Sequence, residues 1–154
     1  MKARKGFTLV ELLIVMAIIA ALTAILVPIA RGAIAKAKAT KIATILNNLV
    51  SATQQYIYIK QSTPSPGEGQ TVIDVLLSEG FIDKNPGSDY SVTVSNSGGT
   101  ITITAKYDPD TTKTDEINKS IGDEVQSILG QGITLNGSGP YGYIEYSVTI
   151  TQFW

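Results

Sequence analysis

Residues Phe7 to Ala30 are almost wholly apolar, rich in Leu, Ile, Val and Ala, and hold one charged side chain, Glu11. A basic leader, residues 1–6, precedes them with Lys2, Arg4 and Lys5 and ends in Gly6. As a helix the run would extend ~36 Å at ~1.5 Å per residue, against a hydrocarbon core of ~30 Å. It therefore predicts a membrane-spanning helix, and that excludes an ordinary soluble fold for the first thirty residues. An acid inside such a helix is costly, so Glu11 calls for a role. Lying about one turn from the helix start, it can simply snorkel to the interface. An ordinary secretory signal fits less well: its apolar region should carry no Glu, and Leu22 and Thr23 spoil a small-residue cleavage site. Basic residues flank the run on both sides, with Arg31, Lys36, Lys38 and Lys41 beyond it, so charge does not set its orientation.

The segment Lys5-Gly6-Phe7-Thr8-Leu9-Val10-Glu11-Leu12-Leu13-Ile14-Val15 resembles the start of the type IV pilin family and its secretion-system relatives, the pseudopilins. The resemblance covers roughly the first 50–60 residues. It implies cleavage by a prepilin peptidase between Gly6 and Phe7, followed by N-methylation of Phe7. It also implies a leader in the cytoplasm, a precursor held once through the inner membrane, and export into an extracellular pilus by inner-membrane assembly machinery. Glu11 matches the family's glutamate that neutralises the N-terminal amine of a neighbouring subunit. Two charges in a dry filament core attract strongly and an unpaired one is penalised, so such a pair would set axial register. Pro28 matches the family's proline. It removes one backbone donor and is expected to kink the helix, and the residues just before it are expected to lose helical structure in a filament.

The chain has 154 residues, no Cys and no His. Beyond the apolar segment that leaves one domain at most, with enough residues for a modest core. Without Cys there are no disulfides, thiolate metal sites or lipid-anchored cysteine, so the C-terminal loop that many members of this family close with a disulfide must be held otherwise. Without His the commonest general base and metal ligand are missing. Residues 31–60 carry Arg31, Lys36, Lys38, Lys41 and Lys60 and no acid, while residues 61–154 carry four bases against twelve acids, a net of −8. A basic stalk and an acidic head could attract between subunits, or the stalk could face anionic lipid headgroups. The acidic head disfavours direct nucleic-acid binding.

Residues 31–60 continue the helix as an amphipathic stalk, with Ile34, Ile42, Ile45, Leu46, Leu49, Ala52, Tyr56 and Ile57 at helical spacing. Residues 61–70, with Pro64, Pro66, Gly67 and Gly69, form a linker. Thr71 to Glu79 predicts a short helix stopped by Gly80, its buried side made by Val72, Val75 and Leu76, and Phe81 and Ile82 then re-enter the core. Asn85-Pro86-Gly87 marks a turn. Tyr90, Val92 and Val94, then Ile101, Ile103, Ala105 and Tyr107, alternate with polar residues around Asn96-Ser97-Gly98-Gly99, a hairpin with one buried face. Asp115 to Leu129 reads as a helix with Ile117, Ile121, Val125, Ile128 and Leu129 on its apolar side. After a turn at 136–140, Ile144, Tyr146, Val148 and Ile150 form the inward side of a last strand ending at Phe153 and Trp154. The fold class is α+β: a long N-terminal helix, half transmembrane (7–30) and half amphipathic (31–60), packed on a small antiparallel sheet of three or four strands within a head spanning 61–154. The helix between the hairpin and the last strand leaves the strand order open.

Little in the head carries chemistry. Asp108 and Asp110 with Asp115 and Glu116 could offer oxygens to Ca²⁺, but the turn glycine and terminal Glu of an EF-hand loop are missing, and a loop with a helix cap explains them better. There is no phosphate loop, dinucleotide fingerprint or nucleophile–base pair. No enzyme, metal or cofactor is expected. Tyr141, Tyr143 and Trp154 read as packing before adhesion, and the Ser- and Thr-rich outer strand faces as solvated before glycosylated. The expected function is a pilus filament subunit that polymerises with itself. The alternatives are a pseudopilin of a secretion machine or a membrane-anchored binding module or enzyme.

Overall fold

The computed structural model of the chain describes residues 7–109, 119–136 and 142–152. In order the elements are α1 (Leu9–Lys60), α2 (Val72–Ser78), β1 (Tyr90–Ser97), β2 (Thr100–Tyr107), α3 (Lys119–Leu129), β3 (Ile133–Asn136) and β4 (Tyr143–Thr151). The chain divides into two compact units, one ending at Lys36 and the other beginning at Ala37.

The first unit holds the N-terminal part of α1. Every described side chain from Phe7 to Ile34 is exposed, including Leu12, Leu13, Ile18, Leu22, Leu26 and Ile29. α1 is long and apolar enough to cross a membrane. An apolar surface exposed all round suits lipid or other helices as its solvent, not water. The helix assignment continues through Pro28 without a break. Proline lacks the N–H that would reach the carbonyl of Ala24. One turn earlier the Thr23 hydroxyl donates to the carbonyl of Ile19 at 2.8 Å, a local bond that keeps this side chain satisfied without water.

In the second unit α1 changes character. Ala39, Ile42, Ala43, Leu46, Leu49, Val50, Thr53, Tyr56 and Ile57 are buried, a continuous stripe with steps of three and four residues. Ile34, expected on that stripe, is 58% exposed and belongs to the first unit, while Ala39, Val50 and Thr53 complete the stripe instead. Thr53 is admitted to the core because its hydroxyl donates to the carbonyl of Leu49 at 2.7 Å. Gln61 stops the helix in the left-handed region (φ 51°), its N–H donating to the carbonyl of Ile57 at 2.9 Å. Lys60 then pairs with Glu79 at 2.8 Å, and that carboxylate raises the lysine pKa by hydrogen bond and charge.

α2 begins in a capping box. The Thr71 hydroxyl accepts from the Asp74 N–H, and the Asp74 carboxylate accepts from the Thr71 N–H at 2.8 Å. These bonds, the hydroxyl first, hold the Asp74 carboxyl below its ordinary range. The buried side of α2 is Val72, Ile73 and Leu76, with Ile73 in place of the expected Val75, which is only half-buried. Phe81 and Ile82 are half-buried, Phe81 meeting Tyr56 edge-on at 5.3 Å between ring centres.

The sheet is antiparallel throughout, in the order β1-β2-β4-β3. β1 and β2 are joined by Gly98 and Gly99, both at positive φ, as a two-residue hairpin of the twist-matching kind requires. The inward face carries Val92, Ile101, Ile103, Ala105, Tyr107, Ile144 and Ile150, all buried, while Tyr146 and Val148 are half-buried. Tyr90 and Tyr107 pair across the strands at 4.9 Å, and burial first, then Tyr107 and Asp89, raises the Tyr90 pKa. Fully burying side chains such as Leu46, Ile57, Ile101 and Ile144 stabilises by about 1.5–3 kcal/mol each.

β3, which has no counterpart in the sequence pattern, pairs with β4 at the other edge. It is four residues long, too short for alternation to stand out. Gly132 opens it at φ 96°, with its carbonyl taking the N–H of Ser147 at 2.9 Å. α3 lies against β3 at Gly122, where an added Cβ would meet Leu135 Cδ1 at 3.2 Å. Ile121 and Val125 are buried and Leu129 is half-buried, but Ile128, expected on the apolar side, is 45% exposed. Asp115 and Ile117 lie outside the described residues.

The outward face is regular. Thr93, Thr104 and Ser147 stand in one cross-strand rank; Ser95, Thr102 and Thr149 form the next, and Ser97, Thr100 and Thr151 the third.

Candidate functional site

The start of α1 is where the sequence concentrates its chemistry, and the structure gives it a definite geometry. Phe7 is 89% exposed and precedes the helix. Thr8 occupies the cap position, its carbonyl taking the N–H of Leu12 at 3.3 Å. Glu11 Oε2 accepts two hydrogen bonds, one from the Thr8 backbone N–H and one from the Thr8 hydroxyl, each at 2.8 Å. The Glu11 N–H donates back to Thr8 Oγ1 at 3.3 Å. This is a capping box, Thr-x-x-Glu, which satisfies two of the orphan donors at a helix N-terminus.

The box adds a role for Glu11 beside the two read from the sequence, snorkelling and pairing with an amine. It was legible in Thr8-Leu9-Val10-Glu11 directly before the apolar run. A carboxylate at the third helical position also suits the positive end of the helix dipole. One carboxylate oxygen takes both donors from Thr8, which leaves Oε1 without a partner among the described residues. The carboxylate can therefore cap its own helix and still present an oxygen to a cation. Gly6 lies outside the described residues. Pro28 is inside an unbroken helical assignment, with no other element packed on the exposed residues around it.

The acidic loop offers less. Asp108 pairs with Lys106 at 2.8 Å. Asp110, Asp115 and Glu116 lie outside the described residues, and among the described residues no group of three acids is placed to hold a metal ion. Tyr143 faces outward from β4, half-buried, with Lys106 Nζ 3.8 Å above its ring centre. It packs on the outer side of the sheet and not in the core, one of the two kinds of packing read from the sequence. Tyr141 and Trp154 lie outside the described residues. An open groove of about 570 Å³ in the second unit runs between α1 and residues 81–86. Asp83 is the one carboxylate lining it, beside Lys41 and Lys84, and no base stands by its Ser51 to make a nucleophile.

Comparison with known proteins bears on the N-terminal sequence and on the chain as a whole. The family model of the prokaryotic N-terminal methylation motif matches residues 1–27. The type IV wide pilus major component PilA4 of Thermus thermophilus is 35% identical over 121 residues, covering 74% of this chain and 90% of that protein. Two fimbrial proteins of Pseudomonas aeruginosa are each 32% identical over 106 residues, covering 68% of this chain and 69% of each. No solved structure matches the chain. These relatives are structural pilins and not enzymes. With the methylation motif, the exposed apolar helix and the helix-on-sheet second unit, they establish that the chain belongs to the type IV pilin family of pilus structural subunits.

Proposed function

We propose that the chain is cut between Gly6 and Phe7 by a prepilin peptidase, N-methylated on Phe7, held in the inner membrane by residues 7–30 and then polymerised with copies of itself. Assembly machinery in the inner membrane extracts the subunit, and the apolar faces of α1 exchange lipid for neighbouring helices. Glu11 neutralises the amine of Phe7 on the next subunit. The observation that carries this reading is the capped start of α1: a fixed carboxylate on an exposed apolar helix, beside the residue that would become the new terminus. Removed from water, that carboxylate is unfavourable without a cation, so a subunit docks where its neighbour's amine meets it. Residues 31–60 act as the stalk and 61–154 as the head. Pro28 frees one carbonyl at the place where a helix under packing constraint would bend.

The test is mass spectrometry of the N-terminal peptide in material sheared from the cell surface. A peptide beginning at methylated Phe7, abundant in that fraction, is the expected result. The same peptide confined to membranes would favour a secretion pseudopilin, and an intact leader would overturn the processing. Glu11→Ala should be inserted and cleaved yet yield few filaments, while normal filament yield from that variant would overturn the role of Glu11.

A further inference from the structure

We propose that the outward face of the β-sheet binds a neutral polysaccharide chain. The observation is the register. Three consecutive ranks across β1, β2 and β4 hold nothing but Ser and Thr, with Ser95, Thr102 and Thr149 in the central one. Ranks recur about every 7 Å along a strand, and hydroxyls about every 4.8 Å across strands. At Thr104 and Ser147 the two hydroxyls lie 2.9 Å apart, so neighbours in a rank can pass a hydrogen bond along it. Thr93, Thr102 and Thr149 have no side-chain partner among the described residues and face solvent fully or in part.

The chemistry of this face selects its partner. Each hydroxyl both donates and accepts, so the complementary surface must do both, as the hydroxyls of a sugar polymer do. The three ranks carry no charge although residues 61–154 have a net charge of −8, so an anionic polymer, a nucleic acid or a lipid headgroup finds no cation there. In the charged rank beyond them the cation is already engaged: Lys106 is held by Asp108 at 2.8 Å and lies over Tyr143. β1 supports the same choice. It is an edge strand without one charged side chain, and solvent-facing edge strands ordinarily carry charge as protection against pairing. Strand twist, about 20–25° per strand, makes the face a saddle, which a flexible chain follows better than a flat crystal does.

Single hydroxyl contacts are weak, so one face binds poorly. A filament presents the face many times, and binding becomes strong by avidity; this part rests on the pilus reading above. The experiment is co-sedimentation of sheared filaments with fluorescent dextran, galactomannan and hydroxyethylcellulose at about 0.5 M NaCl, where charge attraction is screened. Filaments should carry at least one of the three polymers down. The triple variant Thr93→Val, Thr102→Val, Thr104→Val keeps β-branched shape and should bind roughly tenfold less per filament or weaker, while the matching Thr→Ser triple binds as the parent does. Absence of binding to all three polymers, or equal binding by the valine triple, overturns the proposal. If the valine triple forms fewer filaments while each binds as before, the face is instead a contact between copies. If the parent forms no filaments, the pilus reading has failed. The detergent-solubilised full chain, coupled densely to beads, then tests the face by the same comparison.

Discussion

Ile34 and Leu46 lie on the same helix and would be read alike from the sequence, yet their environments are opposite. Leu46 is fully buried in the second unit, and Ile34 is 58% exposed in the first. Leu46→Ala removes a side chain from a filled core and should destabilise by about 2.7–5 kcal/mol. For a unit of this size one kcal/mol moves Tm by roughly 4 °C, so the loss should reach roughly 10–20 °C. Ile34→Ala removes a side chain that the isolated subunit does not bury, and Tm should stay within about 2 °C. In an assembled filament the position is expected to be covered, and burying its three lost methyl and methylene groups would contribute about 2 kcal/mol. Ile34→Ala should therefore lower filament yield without unfolding the subunit. Circular dichroism melts of the detergent-solubilised full chain, read beside sheared-filament yield, separate the two effects. A Leu46→Ala melt within about 3 °C of the parent would refute the assignment of the buried stripe. An Ile34→Ala melt that falls as far as that of Leu46→Ala would refute the division of the helix.

Three further substitutions test local geometry. At Gly132 a Cβ would come within 2.6 Å of the Ser147 carbonyl at a φ of 96°, so Gly132→Ala should cost about 2–4 kcal/mol and loosen β3 from β4, seen as faster amide exchange at Ser147. Gln61→Gly relieves a left-handed residue at the end of α1 and should raise stability by about 0.5–1 kcal/mol, read as a higher Tm. Thr71→Ala breaks the α2 capping box and should cost about 1 kcal/mol at neutral pH. Because the folded Asp74 pKa lies below its ordinary value of 3.8, the stability from this carboxylate is present above that value and disappears as pH falls through the folded pKa. The Tm difference between parent and Thr71→Ala should therefore narrow on acidification below about pH 4, and a constant difference would refute the linkage.

Long periodic stretches were legible because many residues repeat one constraint. The membrane-length run, the stalk helix and the 90–107 hairpin each have that property, and Gly98-Gly99 marks the turn by backbone freedom alone. β3 was not legible: four residues carry too little alternation, and its place depends on Gly132 meeting Ser147, which are fifteen positions apart. Nor was the side of the sheet on which Tyr143 packs. An aromatic residue near a strand start reads as packing, but only the register shows that Ile144 faces inward and that Tyr143 packs outside, with Lys106 across its ring. Thr53 within the buried stripe was hidden for a similar reason, since only the bond to Leu49 makes a hydroxyl acceptable there.

Glu11 shows how one side chain can meet two constraints that the sequence presents separately. A carboxylate on a lipid-facing helix is costly, and an N-terminal helix turn has backbone donors that lipid cannot satisfy. The Thr8–Glu11 box meets both within four residues, without help from another subunit. Pairing with a neighbour's amine is therefore a second use of a carboxylate already held in place, and it neutralises the charge that the box leaves. The two uses can be separated by experiment. Glu11→Gln keeps an oxygen that can accept from Thr8 but carries no charge. It should preserve helix capping, measured as unchanged amide protection at Leu12 in the detergent-held subunit, and still assemble poorly. If Glu11→Gln assembles as well as the parent, capping alone accounts for the residue and the charge pair plays no part.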